Sequence, residues 1–120
     1  MFFDLADQFG LLIMPGWCCC DAWQHWSAWT EEQYHVAVES MRTQMRRLRI
    51  HPSVLVFLYS SDDMPPERVE IDYLRVAAEE YWPNPLLASA SNLTSTITGP
   101  TGVKVRQRSA HSAVRSTRIT

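Results

Sequence analysis

The chain has 120 residues, 46% of them hydrophobic and 20% charged, which is the size and balance of one globular domain. A net charge of −2 gives no electrostatic case for binding nucleic acid or an anionic membrane. The longest apolar run, Val54 to Tyr59, falls far short of the roughly 20 residues that span a bilayer.

The N-terminus, Met1-Phe2-Phe3-Asp4, meets an acid at once and has no basic stretch before its apolar residues, so no secretion signal is read there. Leu11-Leu12-Ile13-Met14 is a short apolar run closed by Pro15-Gly16, the pattern of a buried strand ending in a turn. Cys18, Cys19 and Cys20 are adjacent. Adjacent cysteines cannot staple separate loops, and they lack the CxxC spacing of a zinc site. They read as small buried hydrophobes. The same loop holds Trp17, Trp23, Trp26 and Trp29. Aromatic faces pack well on sugar C–H faces, but they serve equally as core anchors of a long loop, and the sequence leaves both readings open.

Thr30 with Gln33 predicts a capping box, and Glu31 and Glu32 suit the positive end of a helix dipole. Tyr34, Val38, Met41, Met45 and Leu48 recur at steps of three and four and give that helix one apolar stripe. Arg42, Arg46, Arg47 and Arg49 read as a solvated face that complements the dipole, and His51-Pro52 stops the helix. Val54 to Tyr59 is apolar without alternation, so both faces need cover, as in a parallel strand within an α/β layer. A polar loop, Ser60 to Pro66, leads into a second helix with Val69, Tyr73, Val76 and Glu80-Tyr81 at helical spacing. Pro85 to Ala90 is a third candidate strand. Strand and helix alternate, which predicts βαβ units around a parallel sheet.

From Val105 to Thr120 the chain has four arginines among Ser, Thr and Ala and no apolar periodicity, so it is expected to be disordered. His25, His35, His51 and His111 are scattered without metal-ligand spacing, and no metal or organic cofactor is implied.

In a parallel sheet or barrel, chemistry collects at the carboxyl ends of the strands. Asp62 and Asp63 stand just past the apolar strand. Partial desolvation and a neighbouring acid both raise a carboxyl pKa, which suits a general acid. Taken alone, the same pair also reads as a helix cap or a solvated turn, and Asp21 as a loop-capping carboxylate.

Three segments change that balance. Asp4-Leu5-Ala6-Asp7, the stretch Gly10 to Trp17, and the stretch Arg47 to Val54 with its His51-Pro52-Ser53-Val54 together resemble the catalytic barrel of glycoside hydrolase family 2. In most members the strand after that last segment closes with Asn-Glu, the Glu being the proton donor. Counted on from His51, those positions are Ser61 and Asp62. The stretch Trp17 to Trp23, Ser61-Asp62 and the nearby Pro65 look like the exo-β-D-glucosaminidase branch, which uses Asp as donor. The resemblance runs on through Pro85 to Ser91 and to Gly102-Val103-Lys104, so it covers roughly residues 1 to 104.

The resemblance implies a partial (β/α)8 barrel of about three βα units over 1–104, where a full barrel takes roughly 250 residues. An aberrant tail, 105–120, follows. It implies a retaining hydrolysis of terminal β-linked glucosamine from chitosan oligosaccharides, with two carboxyls about 5 Å apart. Asp62 would be the proton donor. Asp21, Asp63 and Trp17 would bind substrate, the acids by charge-assisted contact with its cationic 2-amino group. The family's nucleophilic Glu belongs to a later strand, yet no Asp or Glu follows Glu80 here. The expectation is a piece that starts inside the barrel, lacks the nucleophile, folds poorly alone and is inactive alone. Family resemblance suggests a secreted parent enzyme. A β-mannosidase-like specificity and a non-catalytic carbohydrate-binding fragment stand as alternatives.

Overall fold

The computed structural model describes residues 1–17, 22, 25–60 and 64–88. The expected tail at 105–120 lies outside them. Three extended stretches run parallel. Ile13 bridges Val54 and Gly16 bridges Leu58 on one side of the central stretch. On its other side, β1 (Phe57–Leu58) pairs with β2 (Leu86–Leu87), Phe57 opposite Leu86. The predicted strand at Val54–Tyr59 is therefore the central one.

Its regular ladder is shorter than the apolar run. Pro85 has no N–H with which to extend pairing toward the strand's start. The Asn84 side chain instead donates to the Val54 carbonyl at 2.8 Å.

Helix α1 (Phe2–Phe9) is not among the elements expected from sequence. It ends on Gly10 in the left-handed conformation, φ 67°, with Leu11 N–H donating to Ala6 O at 2.9 Å. Ala6 is buried, while Phe2 and Phe9 are exposed. Helix α2 (Glu31–Leu48) joins the first stretch to the central one, and α3 (Glu67–Glu79) joins the central one to β2. The Thr30–Gln33 capping box forms in both directions.

Met41, Met45 and Leu48 of α2 pack with Val69, Tyr73 and Val76 of α3 against Phe57 and Tyr59, in one core. Side chains of this size contribute about 1.5–3 kcal/mol each when fully buried. The buried stripe of α2 also takes in Ala37, and Tyr34 and Val38 are only partly covered.

Three expectations need correction. Leu11, Leu12 and Met14 are exposed rather than buried. Their stretch is paired only on the central strand's side among the described residues, so its outer edge and much of its side-chain surface face solvent. The arginine face of α2 is not simply solvated. Arg42 and Arg46 donate to Glu80 at 2.9 and 2.8 Å, and Arg49 donates to the Glu80 carbonyl. Glu80 is buried, because three arginines compensate a carboxylate there. Finally, Tyr81 is not on the apolar face of α3. It is 85% exposed with φ 53°, in the left-handed position of a Schellman turn. Trp82 N–H donates to Ala77 O and Tyr81 N–H to Ala78 O, closing that turn.

Candidate functional site at the strand ends

Because the three stretches are parallel, their carboxyl ends lie at one end of the sheet. Trp17 N–H donates to Leu58 O at 3.1 Å, and Tyr59 N–H donates to Leu87 O at 3.0 Å. The roots of the loops that follow Trp17, Ser60 and Ala88 are thus held side by side. The first root tolerates no side chain at Gly16: a Cβ there would lie 2.4 Å from the Leu58 carbonyl oxygen.

Asp21, Asp62 and Asp63 lie outside the described residues, as do Trp23 and the three cysteines. Of the sequence-predicted site residues, Trp17 is described. Its half-buried ring meets Phe57 edge-on at 5.3 Å and tilts against Tyr73 at 6.5 Å. Trp26 is buried and stacks against Trp29 at 4.5 Å. Trp29 donates its indole N–H to Ala22 O at 2.7 Å and meets Tyr34 edge-on. These contacts fit the core-anchor reading of the described tryptophans.

Two residues beneath the strand ends were not among the site residues read from sequence, although Tyr73 was placed on the apolar stripe of its helix. Tyr73 is buried and packs at 6.1 Å on the Tyr59 ring. Burial pushes its phenol well above the ordinary tyrosine range. Glu70, only 4% exposed, accepts a hydrogen bond from the Tyr59 hydroxyl. The available signal was spacing: Glu70 sits three residues before Tyr73 and seven before Ala77, an acid within the buried stripe of α3.

At the opposite end of the central strand, Asp7 accepts from His51 and from Ser53, all three within the segments that carry the family resemblance. An apolar cleft of about 310 Å³ lies between Ala22, Trp29 and the first turns of α2, lined there by Glu32, Gln33, Val36 and Ala37. Among the described residues there is no group of three His, Cys, Asp or Glu that could hold a metal ion. No helix among them is long and apolar enough to cross a membrane.

No family model matches the chain. Curated proteins do. An exo-β-D-glucosaminidase of Streptomyces avermitilis is 41% identical over 111 residues, which is 87% of this chain and 12% of that protein. This chain is similar to one segment of exo-β-D-glucosaminidases. The enzyme of that name from Amycolatopsis orientalis is 40% identical over 111 residues, 87% of this chain and 11% of that one. The Hypocrea virens enzyme is 34% identical over 115 residues, covering 86% and 13%. Among solved structures, the exo-chitosanase CsxA of Amycolatopsis orientalis superposes with a TM-score of 0.78 at 40% identity, over 84% of this chain and 12% of that one. A complex of CsxA with PNP-β-D-glucosamine matches with the same TM-score. The chain thus spans about an eighth of the length of the curated relatives it matches. These relatives are glycoside hydrolases by name, and the likeness includes the three-dimensional path of the chain.

Proposed function

We propose that this chain is a segment of a retaining exo-β-D-glucosaminidase, of the glycoside hydrolase family 2 type, that contributes about three βα units of a (β/α)8 barrel and the proton donor Asp62. The observation that carries the reading is the central parallel strand. The apolar run Val54–Tyr59 lies between two parallel neighbours, and Asp62 follows three residues after Tyr59 at the carboxyl end, where barrel enzymes keep their chemistry. The relatives named above support glucosaminidase over a β-mannosidase-like specificity.

In this reading Asp62 protonates the departing glycosidic oxygen while a carboxylate from another part of the barrel attacks the anomeric carbon. Asp62 then takes a proton from the water that releases the sugar. Asp21 and Asp63 bind the cationic 2-amino group by charge-assisted contact, and Trp17, packed on Phe57 and Tyr73, anchors the end of the first stretch. The family resemblance puts the attacking Glu on a later strand, and no Asp or Glu follows Glu80 in the 120 residues. Free chain therefore releases no glucosamine from chitosan oligomers.

The test is Asp62→Asn in the intact polypeptide that carries this segment. Loss of a general acid lowers kcat by about 10²–10⁴-fold with KM little changed. Wild-type turnover in that variant rules out Asp62 as donor.

A further inference from the structure

We infer that Glu70 and Tyr59 form a positioning pair for the proton donor proposed at Asp62, an inference that rests on that proposed role. Tyr59 is the last apolar residue of the central strand, and its ring is clamped by Tyr73. Glu70 stands in the first turn of α3, on the far side of the loop that begins at Ser60. The hydrogen bond from the Tyr59 hydroxyl to the Glu70 carboxylate closes the base of that loop. Its second root is also fixed, since Val69 and Glu70 both donate backbone N–H groups to Pro66 O.

A carboxylate is a costly choice for a site 4% exposed, where an apolar side chain would pack without a desolvation penalty. What it adds is a strong, directional acceptor that admits one orientation of the Tyr59 hydroxyl. The strand end and the helix start then hold a fixed separation, which fixes both roots of the loop that carries Asp62. Neither residue touches substrate in this account. Both act through the loop they tie down.

The experiment uses the intact polypeptide and two substrates. Glucosamine oligomers leave as alkoxides and need the donor, whereas PNP-β-D-glucosamine has a good leaving group and needs it little. Tyr59→Phe removes only the hydroxyl and should lower kcat on oligomers about 10–100-fold, as expected for a misplaced catalytic group, with KM unchanged. Its kcat/KM on the aryl glycoside should stay within about threefold of wild type, because that ratio reports the first displacement alone, whereas kcat also includes the base-assisted release of the sugar. Glu70→Gln keeps an acceptor but loses its charge, so it should lower kcat on oligomers in the same direction as Tyr59→Phe and by less. Equal losses of kcat/KM on both substrates overturn the inference, as does a Tyr59→Phe protein with wild-type oligomer turnover while Asp62→Ala has none. Collapse of the fold in Tyr59→Phe makes the contact architectural and overturns it too. If Asp62→Ala itself turns over oligomers normally, the donor assignment fails first and the pairing falls with it.

Discussion

Asp7 Oδ1 accepts the backbone N–H of Ser53 at 2.8 Å, tying α1 to the start of the central strand. His51 Nδ1 donates to the other carboxylate oxygen at 2.7 Å. The Ser53 contact, with help from His51 and against some desolvation, holds the Asp7 carboxyl below its ordinary value of 3.8. A depressed carboxyl stabilises the fold above its unfolded pKa, and that contribution is lost as pH falls through the lower folded value. Titration of the Asp7 carboxyl by carbon NMR should therefore show a midpoint under 3.8. Asp7→Ala should speed amide exchange at Ser53 about tenfold at neutral pH, as expected for a lost charge-assisted hydrogen bond. An unchanged exchange rate would show that the clasp carries no weight.

Glu80 is the shared anchor of Arg42, Arg46 and Arg49. Hydrogen bonds from Arg46 and then Arg42 keep its carboxyl below the ordinary glutamate value of 4.5. The Glu80 contribution to the link between α2 and α3 is thus fully present above that value and lost as pH falls through the lower folded one. Glu80→Gln should raise amide exchange in the last turn of α3 by more than Arg46→Gln does, because the remaining arginines then face a neutral amide. The reverse order would mean that Arg46 alone carries the link.

Tyr81 occupies a left-handed position that costs a non-glycine residue about 1 kcal/mol. Its side chain is exposed and gives little packing in return. Tyr81→Gly should slow exchange at the Trp82 amide by roughly twofold, the equivalent of about 1 kcal/mol less about 0.5 kcal/mol for glycine's extra chain entropy. Faster exchange would show that the tyrosine ring has a stabilising contact.

Gly16→Ala should do the opposite at the sheet edge. The added methyl meets the Leu58 carbonyl at 2.4 Å and the Leu58 Cβ at 2.7 Å. Backbone must move, so the Trp17 and Leu58 amides, which now cross that gap, should lose protection together. Retained protection at both would place the glycine requirement elsewhere.

For the free chain, the core joins α2, α3 and the central strand, while Leu11, Leu12 and Met14 stay open to water. A broad thermal transition with helical content retained is expected. A sharp cooperative melt of a monomer would contradict it.

The sequence was most legible where one periodicity dominated. The α2 stripe, its capping box and the continuous run Val54–Tyr59 each contained the information locally. Tyr81 was misread because a helical spacing cannot show where the helix has already turned out of its conformation. Glu80 and Glu70 were passed over because their partners lie 34 and 11 residues away in sequence, and only folding brings them together. Leu11 to Met14 read as buried because hydrophobicity reports what a segment prefers, not whether a neighbour is present to cover it. The Asp62 assignment came from motif resemblance combined with the strand's position, since an acidic pair before a proline is ambiguous by itself.

The stretch Ile13 to Gly16 gives the free chain a dependence on its own concentration. Its inner backbone groups are satisfied by Ser53, Leu55 and Leu58, and among the described residues no strand pairs with its outer row, which is flanked by exposed leucine and methionine. Such a margin recruits whatever extended peptide arrives first. In dilute solution that is water. At high copy number it is another molecule of the same kind, so light scattering should rise more steeply than in proportion to protein added.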